Sequence, residues 1–145
     1  MEQQLLVLLL PQRLERFHLE TQARELLRAP GAVAVDPARI PVGRIPAPVA
    51  AGLAVGQAKR MRLPGIPGAV AIFHPLQFYL AGALLSRHPT AELWYGEPDP
   101  EVAALHEQLH TAASTRAALK FPVTADLDVT RLQLRMAELG IVTGG

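Results

Sequence analysis

His106-Glu107-Gln108-Leu109-His110 spells H-E-x-x-H. On a helix, two histidines four residues apart sit one turn apart on one face and can share a zinc ion. The glutamate between them can then act as general base on the bound water. The motif needs a third ligand. Its extended form carries a glycine and a third histidine where this chain has Ala113 and Arg116. Glu138, Asp126 and Asp128 are distant carboxylates, and no spacing selects among them. Without metal, His106 and His110 belong half-exposed at the edge of a stripe formed by Leu105 and Leu109.

A second stretch with chemical potential is AVAIFHPLQFYLAGALLS, from Ala69 to Ser86. An apolar run, 69–73, ends in His74-Pro75, and a helical pattern follows with Leu76, Leu80, Ala83 and Leu84 on its apolar face. Strand, polar residue, helix start is the order by which α/β proteins place a ligand-binding group at the carboxyl end of a strand. Glu97 and Asp99 form a carboxylate pair after another strand pattern, either acid and base or a solvated loop. His18 falls near the start of the first helical pattern.

Several chemistries are excluded by residue type. There are no cysteines, so disulfides, thiolate metal sites and thiol nucleophiles are out. No G-x-G-x-x-G follows a strand, and neither a P-loop nor a G-x-S-x-G elbow is present. The only serines, Ser86 and Ser114, lie away from strand-to-helix turns. A net charge of +1 gives no electrostatic footprint for nucleic acid. The one basic cluster, Lys59-Arg60-Met61-Arg62, suits a helix C-terminus, where cations complement the dipole.

The elements that must position these groups are legible. The chain has 145 residues, 50% hydrophobic and 19% charged, enough for one domain with a core. Leu5 to Leu10 is apolar without alternation, as in a strand covered on both faces. Pro11 stops it, and no basic segment precedes it, so it reads as a strand rather than a signal peptide. No apolar run reaches membrane-spanning length; a cytoplasmic location is expected. Leu19, Ala23, Leu26 and Leu27 share a helical face that ends at Ala29-Pro30-Gly31. Ala32–Val35 is a second strand. A proline-rich connection leads to a helix over 49–62, and Pro64 to Gly68 form a turn into the third strand at 69.

Ala91 to Tyr95 is a fourth strand, with Trp94 and Tyr95 as core residues. A single helix from about Glu101 should bury Val102, Leu105, Leu109 and Ala112. Leu119, Phe121 and Val123 alternate as a fifth strand. Asp128 or Thr130 could cap a last helix with Val129, Leu132, Met136 and Leu139 inward, and Gly140 could close it. Strand and helix alternate about five times, which predicts an α/β fold: a mostly parallel sheet of about five strands with helices on both faces.

Leu5 to Leu10, the 69–86 stretch, Glu92-Leu93-Trp94-Tyr95 and the segment from Arg116 to Thr124 together resemble the N-terminal half of two-domain glycosyltransferases of the GT-B type. The resemblance covers residues 1–127. It rests on Phe73-His74-Pro75 ending a strand before a helix, and on an Ala- and Arg-rich helix leading into a strand at Leu119. It implies a single Rossmann-like domain over 1–145, a three-layer sandwich that binds a sugar acceptor or nucleotide-sugar. The ligand edge implied is Gln12, Arg13, His18, His74 and Glu97. His74 would bond an acceptor hydroxyl or a donor phosphate, and Arg13 would offer a fork to an anion.

The chain departs from the family in its first loop, Pro11 to Arg16, which has no glycine. The family's C-terminal domain, with the nucleotide-sugar site and its paired glutamates, does not follow before Gly145. Catalysis is therefore expected to need a C-terminal partner domain, and no cofactor is expected. A second likeness, to small zinc peptidases, rests on H-E-x-x-H followed by Phe121-Pro122-Val123-Thr124 and Arg131 to Gly140. It implies zinc on His106 and His110 with Glu107 as base. A non-catalytic α/β module that associates with itself, as a homodimer, or with a partner is the third expectation.

Overall fold

The computed structural model describes residues 4–9, 25–35, 44–122 and 129–143. Five strands form one sheet: β1 (Gln4–Leu9), β2 (Ala32–Val35), β3 (Ile66–Ile72), β4 (Glu92–Glu97) and β5 (Leu119–Pro122). Every pairing is parallel, in the order β2-β1-β3-β4-β5. The expected α/β architecture with helices on both faces is present.

Strand periodicity divides the core in two. Leu5, Val7, Leu9, Val70, Ile72, Leu93 and Tyr95 face α1 (Ala47–Arg60) and α2 (Phe78–Arg87), with Ala113 from a later helix. Leu6, Leu8, Ala69, Ala71, Trp94 and Phe121 face the opposite way. They pack on Leu26, Ala29, and Leu132 and Met136 of α5 (Val129–Glu138). β1 is buried along Leu5–Leu9 and paired on both sides, which is why its sequence shows no alternation. On α1, Ala50, Ala54 and Ala58 recur every four residues on the buried face. Their small side chains let the helix lie close to its neighbours.

Several boundaries differ from expectation for local reasons. β3 begins at Ile66, inside the expected turn. Leu5 pairs with Pro67 and Leu6 with Ala69, so Gly68 is skipped as a bulge. Proline has no ladder donor, and a bulge accommodates it. β4 continues to Glu97, because Gly96 and Glu97 pair with Phe121 and Pro122. Residues 25–27 are helical, and Leu26 is buried as expected. Thr130 lies inside α5 rather than capping it; Asp128, Leu19, Ala23 and Val123 lie outside the described residues.

The expected single helix from Glu101 is two. Asp99 caps α3 (Pro100–Leu105) by accepting the Val102 N–H at 3.0 Å, and α4 spans Glu107–Arg116. Between them His106 leaves helical geometry at φ −122°, ψ 46°. The break rotates the stripe: Ala113 is buried in place of Leu105, which is 76% exposed.

The chain's last described residues close the second core. Gly140, at φ 77°, follows α5 in a Schellman arrangement. The Ile141 N–H reaches the Met136 carbonyl at 2.9 Å, and the Gly140 N–H reaches Ala137 at 3.1 Å. Ile141 is buried and bridges Gln4, while the Gly31 N–H donates to the Val142 carbonyl at 2.9 Å.

Candidate functional site

The strand order reverses between β1 and β3, where one connection leads left and the next leads right. Open parallel sheets bind ligands at the carboxyl end of such a switch point. Gln77 spans that point. It sits in a short 3-10 turn, Pro75–Gln77. Its Nε2 donates to the Leu9 carbonyl at 2.7 Å, and its Oε1 accepts the Phe73 N–H at 2.7 Å. One amide thus ties the ends of the two central strands. Sequence reasoning missed this residue. The available signal was an uncharged polar side chain inside the apolar stretch 69–86.

His74 lies immediately beyond β3, as expected, in extended backbone. Its Nδ1 accepts the Leu76 N–H at 3.1 Å and caps the turn, with Pro75 at the first position. An accepting Nδ1 puts the proton of the neutral ring on Nε2. The ring meets that of His106 edge-on, with centroids 5.3 Å apart. The break between α3 and α4 is what lets a residue of the α3–α4 segment reach the first turn after β3.

A second pair lies alongside. Tyr95, fully buried on β4, has its hydroxyl 2.8 Å from His110 Nδ1, with ring centroids 5.6 Å apart. Burial holds the Tyr95 phenol well above its ordinary range, and the nearby Glu97 carboxylate adds to the shift. The phenol therefore keeps its proton. Its hydroxyl and the His110 Nδ1 share one hydrogen bond, whose direction follows from the His110 tautomer. Tyr95 is core, as expected, and also orients a histidine.

The structure brings His74 together with His106, and Glu97 within electrostatic reach of Tyr95. Gln12, Arg13 and His18 lie outside the described residues, as do Asp126 and Asp128. Asp99 serves as the α3 cap, so it and Glu97 have separate roles. The two histidines of H-E-x-x-H turn to different partners: His106 to His74, His110 to Tyr95. Glu138 pairs with Arg135 at 2.6 Å. Among the described residues, no group of three His, Asp or Glu is placed to hold a metal ion. Lys59 and Arg60 occupy the last turn of α1, and Arg60 Nε donates to the Gly56 carbonyl at 3.2 Å; this is the helix-terminal role expected of them.

Beside His106 opens a groove of about 470 Å³. It is lined by Ile45, Ala50, Leu76, Tyr79, Leu105 and Leu109, with Glu107 and Gln108 also bordering it. The same edge of the sheet thus carries imidazoles, a phenol, a carboxylate and an adjoining apolar recess. No helix among the described residues is long and apolar enough to cross a membrane. No family model, curated protein or solved structure matches the chain.

Proposed function

We propose that this chain is the acceptor-side domain of a two-domain sugar-transfer enzyme of the GT-B type. The doubly wound parallel sheet supports the reading, because it offers one ligand edge at a switch point. The observation that carries it is His74. It stands at that edge with Nδ1 held by the turn, and an imidazole at that place suits a hydroxyl or a phosphate oxygen. His106 packs against it, and Tyr95 on the neighbouring strand holds His110 of α4. Transfer itself would require a second domain to hold the nucleotide-sugar, so binding is the activity to test.

Amide and imidazole NMR signals of the full chain, titrated with simple glycosides and with nucleotide-sugars, provide the test. The expected result is perturbation grouped at His74, Gln77, His106 and Gly96, abolished by His74→Ala with the remaining spectrum unchanged. Perturbations grouped instead at the amino edge of the sheet, around Gly31 and Gly68, would overturn the reading. So would the absence of any response to either ligand class.

A further inference from the structure

The groove beside His106 has a chemical character that the imidazole pair does not. Its volume, about 470 Å³, lies in the range of small-molecule sites. Its lining joins the apolar Ile45, Ala50, Leu76, Leu105 and Leu109 to the polar His106, Glu107 and Gln108. Leu105 is the informative residue. Helical periodicity would bury it against the sheet, yet the break at His106 turns it out, leaving it 76% exposed at the groove wall. An isolated exposed leucine is ordinary. One that borders an apolar recess joined to a cluster of hydrogen-bonding side chains is a surface that a ligand can remove from water. Departures from local sequence rules tend to fall at functional sites.

We infer that the groove takes an acceptor with an apolar group beside its sugar-accepting hydroxyl, the apolar part lying against Leu76, Leu105 and Leu109 and the hydroxyl end toward His106 and His74. The inference rests on the acceptor-domain reading above and narrows its substrate class to amphiphilic alcohols. The His106 ring joins the two halves of the site, since it borders the groove and packs on His74.

The test compares hexyl β-D-glucoside, below its micelle concentration, with methyl β-D-glucoside, both titrated into the full chain and followed by NMR. They share a sugar and differ in five methylenes. Burying even part of that difference should tighten binding by at least about tenfold. The hexyl compound should also perturb Ala50, Leu105 and Leu109. Leu105→Ser, at an exposed position, should remove most of the hexyl preference.

Equal affinities, with both compounds perturbing the His74 edge, would overturn the amphiphile inference while leaving the acceptor-domain reading in place. A full hexyl preference retained in Leu105→Ser would remove the groove from the site. If neither glucoside perturbs the carboxyl edge, both the inference and the reading beneath it fall.

Discussion

At the scale of single residues, the carboxyl edge depends on side chains whose hydrogen bonds are fixed by their neighbours. Gln77 satisfies a carbonyl of β1 and an N–H beyond β3 at once. Replacing it with leucine keeps the volume but leaves both backbone groups without that partner. Each orphaned group costs about 1–3 kcal/mol. Gln77→Leu should therefore lower unfolding stability by about 2–6 kcal/mol, read from denaturant midpoints at unchanged slope. Tyr95→Phe is milder, because only one hydrogen bond goes. It should cost about 1 kcal/mol, and the His110 ring should lose the partner of its Nδ1, visible as a change in its nitrogen chemical shifts. Unchanged shifts would show that something other than the Tyr95 hydroxyl holds the ring. His74 was legible as a strand-end histidine. Its contact with His106 was not, because the two are far apart in sequence and meet only through the helix break.

At the scale of elements, the strands read well because continuous burial leaves a continuous apolar signature, as in β1. Where the signature failed, a tertiary pairing had overridden it. β3 extends back through Pro67 and Gly68 because β1 supplies partners and a bulge absorbs the proline. β4 runs to Glu97 because β5 lies beside it. The α3–α4 break at His106 defeated periodicity altogether: α3 buries none of its residues and α4 buries only Ala113, so no strong stripe fixed their phase. The two glycines that matter can be ranked in advance. Gly140 holds φ 77° with open space around it, so Gly140→Ala should cost about 1 kcal/mol from backbone strain alone. At Gly31 a methyl group would stand 2.6 Å from Ile141 Cγ2 and 2.9 Å from the Val142 backbone. Gly31→Ala should cost more, about 1–3 kcal/mol, and should expose the 141–142 segment to hydrogen exchange. Equal losses at the two positions would mean that the segment does not pack where it is drawn.

At the scale of the whole molecule, the C-terminal segment supplies several of the described groups that cover the second face of the sheet. Leu132 and Met136 of α5 and the following Ile141 are all buried there. One ion pair ties this helix to the sheet. Arg135 donates to both oxygens of Glu92 at the start of β4, at 2.8 and 2.7 Å, and Glu92 Oε1 also accepts the Trp94 indole N–H at 3.0 Å. The hydrogen bonds from Arg135 hold the Glu92 carboxyl below the usual glutamate range, against the opposing effect of its partial burial. A carboxylate whose pKa is lower folded than unfolded stabilises the fold fully at pH values above the unfolded pKa, and that contribution is lost as pH falls through the folded value. Stability from this pair should thus be complete near neutrality and decline only below about pH 4.5, the ordinary glutamate value. Glu92→Gln keeps the shape and removes the charge. It should weaken the protein at pH 7, and its deficit against the parent should shrink as pH is lowered to 3, because below the ordinary glutamate value the parent's unfolded chain takes up a proton that folding must release. Denaturant titrations of both proteins at the two pH values measure this. A deficit that stays constant with pH would assign the loss to packing around Trp94 rather than to the charge pair that fastens α5 to the sheet.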